Sequence, residues 1–178
     1  MSELLFTLAY PELEEADRHW IEDFRRAHDL PFRDVVAAHV TLAFGHGGMA
    51  RAEYQAHVEE VAREWDGPIE FTCRYAMQGV DNGDARGYVF LVPDEGLSAI
   101  AWLHDRLYRG ALAPALRLDI PYIPHITIGT LPSHREARDL SDRLNADGVH
   151  VAGRIGHVTV AGLTEGRVVD HATFALGG

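Results

Sequence analysis

Lysine is absent from the 178 residues, so 16 arginines carry all the fixed positive charge. Against them stand 27 aspartates and glutamates, for a formal net charge of −11. Gripping a long nucleic-acid backbone requires a basic face that neutralises many phosphates, and a strongly acidic chain does not offer one. The charge balance therefore argues against an extended nucleic-acid footprint. It leaves room for a short phosphorylated ligand or the end of an RNA, which needs only a local site. Cysteine is nearly as scarce. Cys73 stands alone, so no intramolecular disulfide can form. It lies in the alternating stretch 69–77, on the apolar side with Ile69, Phe71, Tyr75 and Met77, and reads as a buried thiol. No apolar run reaches transmembrane length. The N-terminus has no basic region ahead of an apolar core, so residues 3–9 read as a strand and not as a leader. A cytoplasmic protein without membrane attachment is expected. No glycine-rich loop opens a helix with Lys-Ser or Lys-Thr, which excludes a P-loop nucleotidase. The 11 histidines include no zinc-helix spacing with a carboxylate partner, so neither a metal nor a cofactor is expected.

What is present is a globular composition, 47% hydrophobic and without low-complexity tracts, at a length suited to one domain. Residues 3–9 alternate as a strand. Pro11 then opens a helix carrying Leu13, Ala16, Trp20, Phe24 and Ala27 at helical spacing. A strand at 37–44 ends in Gly45, Gly47 and Gly48. A second helix follows, with Tyr54, Val58, Val61 and Trp65 on one face, and Gly67-Pro68 breaks it ahead of the strand around Cys73. Asp81-Asn82-Gly83-Asp84 is a strong turn signal, and 87–92 resumes as a strand. A third helix is expected over 97–109 and a strand over 123–130. Ser133 with Glu136 makes a capping box for a fourth helix, which Asp147-Gly148 ends. Residues 151–163 and 167–176 read as a closing hairpin around Glu165-Gly166. The first half thus runs strand, helix, strand, helix, strand. The second half repeats that order and adds a strand. The architecture implied is a duplicated α+β unit of two pseudo-symmetric lobes, one domain over 1–178.

His39-Val40-Thr41-Leu42 falls in the second strand of the first half, and His125-Ile126-Thr127-Ile128 in the second strand of the second half. Strand periodicity puts His39 and Thr41 on one face, opposite Val40, Leu42 and Phe44. His125 and Thr127 likewise lie opposite Ile126 and Ile128. Random placement of 11 histidines and eight threonines gives roughly 0.5 His-x-Thr triplets in a chain this long, so one copy means little. Three occur, and placement separates them. Two hold equivalent positions in the repeat, whereas His157-Val158-Thr159 lies in the closing hairpin and is set aside. Two imidazoles facing each other can supply a base and an acid near neutrality. Two threonine hydroxyls can donate to the non-bridging oxygens of a phosphate ester. The remaining histidines, His104 among them, read as surface residues. Tyr10, Phe44, Tyr88 and Tyr122 are weaker candidates for stacking a base, and Arg86, Arg117 and Arg154 for neutralising phosphate.

The segments Ala38-His39-Val40-Thr41-Leu42-Ala43-Phe44 and Tyr122-Ile123-Pro124-His125-Ile126-Thr127-Ile128-Gly129 resemble the two signature motifs of the two-histidine (2H) phosphoesterase superfamily. Within it, the likeness is to RNA 2′,3′-cyclic phosphodiesterases, also called 2′-5′ RNA ligases, and it covers nearly the whole chain. The resemblance implies a bilobal α+β fold with antiparallel sheets lining a central cleft, helices outside and no metal. It implies hydrolysis of a cyclic phosphodiester, most simply an RNA-terminal or nucleoside 2′,3′-cyclic phosphate. His125 would accept a proton from water, His39 would donate one to the leaving ribose oxygen, and Thr41 and Thr127 would hold the phosphate. The expected partner is a small cyclic nucleotide or an RNA terminus. One position departs from the pattern: many relatives carry a basic residue shortly after the second motif, where this chain has Thr130. Two rival readings stand beside the phosphodiesterase: a non-catalytic binder of nucleotides or RNA ends with the same fold, and a metal-dependent hydrolase using the surplus histidines.

Overall fold

The computed structural model describes residues 3–80 and 85–178, so the turn expected at 81–84 lies outside the described residues. The elements follow in chain order: β1 (Leu5–Ala9), β2 (Glu12–Leu13), α1 (Glu15–His28), β3 (Val40–His46), α2 (Arg51–Arg63) and β4 (Ile69–Val80). The second half contains β5 (Gly87–Glu95), α3 (Leu97–Leu107), a 3₁₀ turn (Gly110–Ala115), β6 (Ile126–Leu131), α4 (His134–Asp147), β7 (Val151–Ile155), β8 (His157–Thr164) and β9 (Arg167–Ala175).

The strands form one curled sheet in the order β2-β7-β4-β5-β6-β3-β1-β8-β9. Every pairing is antiparallel. The two motif strands β3 and β6 sit side by side in the middle, yet their register contains a single pair, Val40 with Ile126. They meet at their first residues and run in opposite directions, so each continues alongside the irregular segment that leads into the other. The two sheets expected from sequence are therefore the two halves of one sheet, hinged at that pair.

The repeat exchanges its ends. β4 closes the first half of the chain but pairs with β5, and β8 of the second half pairs with β1. This alters the expected closing hairpin. The chain breaks at Gly156: β7 pairs with β4 on one side of the sheet, and β8 pairs with β1 on the other. Of β7, β8 and β9, the last two alone form a hairpin. Its turn residues Glu165 and Gly166 both have positive φ, 50° and 77°, as a twist-matching two-residue turn demands. Pro11 does not begin α1. Glu12 and Leu13 are instead spent on the short edge strand β2, paired with Gly153 and Arg154 of β7.

The helices start and stop for local reasons. α1 opens with Glu15 and Asp17 and closes with Arg25, Arg26 and His28, charges that complement its dipole. Ser133 caps α4 by accepting from the Glu136 amide, and Gly148 ends it at φ 78°. None of the described helices is long and apolar enough to cross a membrane. The core gathers Val40, Leu42, Leu91, Ile126 and Ile128 from the central strands, with Tyr54 and Val58 of α2, Ile100 and Leu103 of α3, and Leu140 of α4. Cys73 is fully buried there, as its strand pattern required. Because the Ser133 cap lies beyond the end of β6 that is opposite to His125, Ser133→Ala is expected to lower unfolding free energy by about 1 kcal/mol in a urea titration. The same variant should leave ligand binding unchanged.

Candidate active site

Each motif histidine stands one residue ahead of its strand, His39 before β3 and His125 before β6. At that position the backbone is not yet in the ladder, and the ring folds back on the chain. His39 Nδ1 lies 2.8 Å from the Ala37 carbonyl, and His125 Nδ1 lies 2.6 Å from the Ile123 carbonyl. A carbonyl only accepts, so Nδ1 carries the proton in both rings. The neutral rings therefore keep a bare lone pair on Nε2, and the charged rings present an Nε2–H. The same two-residue device fixes both tautomers.

Extending the Val40–Ile126 register by one residue either way sets His39 across from Thr127, and Thr41 across from His125. Val40 and Ile126 point into the core at 2% and 1% exposure, whereas the two histidines and two threonines are half-buried on the opposite face. The four residues singled out in the sequence thus form one cluster across the hinge of the sheet.

Both motif strands carry an extra residue directly after the threonine. Leu8 and Thr7 of β1 pair with Thr41 and Ala43, and Phe90 and Val89 of β5 pair with Thr127 and Gly129. Leu42 and Ile128 are therefore bulged. Strict alternation would put Thr130 with Ile126 and Ile128, but the bulge pairs it with Tyr88, on the same face as Phe90 and Thr127. Phe44 likewise leaves the apolar face expected for it. It is half-buried, with its ring edge-on to Tyr122 at 6.4 Å.

The two imidazoles have different walls. Phe90 lies flat on His125, with ring centroids 3.7 Å apart at 23°. Gly79 on β4 permits this, because a Cβ there would overlap the Phe90 ring. His39 meets the edge of Tyr10 at 6.3 Å, and the Tyr10 hydroxyl donates to Asp170 at 2.9 Å. A hollow of about 590 Å³ opens between α1 and the segment leading to His39, walled by Tyr10, Ile21, Arg25, Ala37 and Ala38 among others. Burial pushes His125 down to about 4, against the Ile123 bond and with a further push from nearby His39. Burial lowers His39 as well. The Ala37 carbonyl opposes that shift, Arg25 adds to it, and Asp29 and Asp170 pull the other way. His39 has carboxylates in electrostatic reach; among the described residues none acts on His125.

Other candidates fall into structural roles. Tyr122 donates to the Thr41 carbonyl at 2.9 Å and stacks on His104 at 3.6 Å and 3°. His104 is not a surface residue. It is 4% exposed, and its Nδ1 lies 2.7 Å from the Leu42 carbonyl. Beside it, Tyr108 accepts from the Phe44 amide at 2.9 Å. These α3 groups and Tyr122 satisfy backbone that β3 has no neighbouring strand to satisfy, since β6 has already turned away. Tyr88 is buried. Arg117 is paired with Asp119 and Arg154 with Glu12, while Arg86 lies over Phe32. His157 is exposed beside Glu12 at the start of β8, separated from β3 by β1. Sequence reasoning missed Phe90, because an aromatic in an apolar strand signals only packing.

A family model described as the 2′-5′ RNA ligase superfamily matches residues 11–167. No curated protein matches. Among solved structures, E. coli LigT complexed with 3′-AMP aligns with a TM-score of 0.63 at 19% identity, covering 100% of this chain and 100% of that one. The protein TT0787 of Thermus thermophilus aligns at 0.61 with 21% identity, covering 98% of each chain. Kluyveromyces marxianus Usb1 aligns at 0.59 with 10% identity, covering 98% of this chain and 99% of that one. At these identities the structural likeness speaks for the fold, the curled antiparallel sheet with its helices, and the family model for membership. With nearly its whole length matched, the chain belongs to the 2′-5′ RNA ligase superfamily, the two-histidine phosphoesterases.

Proposed function

We propose that the protein is a phosphodiesterase that opens a cyclic phosphodiester, specifically a 2′,3′-cyclic phosphate on a nucleoside or an RNA end, by acid–base catalysis between two histidines. The observation that carries this reading is the pair of Nε2 atoms, each left free by an Nδ1–H bond to the carbonyl two residues back. Water attacks phosphorus while His125 Nε2 takes its proton. The bond from phosphorus to one ribose oxygen breaks, and His39 Nε2–H protonates that oxygen as it leaves. The products are a phosphomonoester and a free hydroxyl. The imidazoles have then exchanged protonation states, and solvent resets them. Thr41 and Thr127 donate to the non-bridging oxygens, where charge builds in the transition state. Acid, base and charge stabilisation are all supplied by side chains, so the scheme calls for no metal.

The assignment of roles follows from the asymmetry of the walls. His125, pressed under Phe90 and with no carboxylate acting on it among the described residues, is the harder ring to charge and suits the base. His39, with Asp29 and Asp170 in reach, is the easier ring to charge and suits the acid. Superfamily membership supports phosphoester chemistry, and the LigT relative's structure with 3′-AMP supports a small nucleotide as ligand. The fixed negative charge of the chain supports short substrates over long RNA.

His39→Ala and His125→Ala are each expected to reduce turnover of a 2′,3′-cyclic nucleotide by about 10²- to 10⁴-fold, read as phosphomonoester release. Retained turnover in both variants contradicts the scheme, and tight nucleotide binding without turnover in the wild type favours a binding protein. A second expectation concerns pH. The base must be neutral, so kcat/KM rises as pH passes the lower pKa of the pair, at about 4 for His125. The acid must be charged, so kcat/KM falls as pH passes the His39 value, which lies below 6.5. The profile should be a bell with its maximum on the acid side of 6.5, its limbs being those of the coupled pair. A profile rising through neutral pH to a plateau contradicts it.

A further inference from the structure

The last turn of α1 reaches both motif strands through two buried charges. Arg25 and Asp29 form an ion pair at 2.9 Å, with side chains 8% and 1% exposed. Removing two charges from water is costly, and their mutual attraction alone seldom makes such a pair stabilising. The other bonds of this pair show what it holds. Asp29 Oδ1 accepts the Thr130 hydroxyl at 2.7 Å, tying the helix end to β6 at the position the bulge moved onto the face of Thr127. Arg25 Nη2 donates to the Val36 carbonyl at 2.9 Å and to the Phe32 carbonyl at 3.4 Å. Those carbonyls belong to the irregular segment between α1 and β3, and Val36 immediately precedes Ala37, whose carbonyl fixes the His39 ring. Across the segment, the Val35 carbonyl accepts the Val168 amide from β9 at 3.1 Å. No strand ladder holds residues 30–38, so these bonds set where His39 begins.

We propose that Arg25, Asp29 and Thr130 form a positioning unit for His39, registering its loop against β6 and hence against His125. The unit spans the hinge of the sheet: Thr130 stands on the His125 strand, and Arg25 grips the backbone leading to His39. Arg25 acts through this backbone and has no direct part in the chemistry. The groups whose charge reaches His39 are Arg25 and Asp29 from the end of α1, Asp170 from β9, and His125 from the facing motif; Tyr10 meets its ring edge.

The kinetic consequence rests on the phosphodiesterase reading; the structural one does not. Removing one member of a buried pair leaves the other uncompensated and can stop folding, so two milder variants are used. Thr130→Val deletes only the hydroxyl. Arg25→Met combined with Asp29→Leu removes both charges together. Folding is checked by thermal melting. On a 2′,3′-cyclic nucleotide, kcat is expected to fall about 10- to 100-fold in the double variant and less in Thr130→Val, with KM nearly unchanged. Independently of turnover, ¹⁵N spectra of the substrate-free protein should show His39 losing its single Nδ1–H tautomer in the double variant while His125 keeps it. A folded double variant whose His39 ring spectrum is unchanged overturns the proposal, whatever its activity. Absence of turnover in the wild type refutes the phosphodiesterase reading alone, and the ring spectra still decide this one.

Discussion

The rest of the site depends on one backbone pair, Val40 with Ile126, where the two halves of the sheet touch. Both side chains are in the core, so their neighbours on either side are forced to the opposite face. A longer ladder between β3 and β6 would flatten the join. A single pair lets the strands part at once, and the residues just before and after it, imidazole and hydroxyl from each strand, line the opening. The exchange of strand ends then locks this geometry. β4 and β8 each lie in the sheet half opposite to their place in the repeat, so neither half of the chain completes its sheet alone.

Burial at the hinge creates an opposition that the site uses. An imidazole removed from water loses affinity for its proton, so its neutral, proton-accepting form is favoured and its charged, proton-donating form is depleted. Both rings lose some, and the differences between their walls separate them. Burial under a flat aromatic contact, with no carboxylate acting among the described residues, keeps His125 neutral, while two carboxylates within reach moderate His39. A near-symmetric pair of motifs thereby becomes a directional pair. The hydrogen bond to the carbonyl two residues back is common to both, so the tautomer is set by the backbone and the asymmetry by the surroundings.

Much of this was legible in the sequence for identifiable reasons. Val40, Leu42, Ile126 and Ile128 alternate with His39, Thr41, His125 and Thr127, and a side-chain period of two leaves little choice of face. The α4 cap and the turn at Glu165-Gly166 were legible because their requirements are local. The bulges at Leu42 and Ile128 were not, because an extra residue leaves no trace in an apolar run, and without them Thr130 and Phe44 are assigned to the wrong side. The break at Gly156 was hidden because β7 and β8 read as one continuous strand, and only long-range pairing separates them. His104 was misread as a surface residue because its burial depends on the flat face of Tyr122 and on a Leu42 carbonyl remote in sequence.

The net charge of −11 is compatible with the proposed reading, in which the site takes one phosphate with four side chains and needs no basic surface. Its central requirement is that both neutral rings hold their proton on Nδ1, so that Nε2 is the atom that takes a proton in His125 and gives one in His39. Ring ¹⁵N spectra of the wild-type protein followed across pH test this most directly. The expected result is an Nδ1–H tautomer for His39 and His125 at neutral pH, with His125 the last histidine of the pair to charge as pH falls, at about 4. Nε2–H tautomers, or two rings titrating together at the ordinary value of about 6.5, would contradict the account.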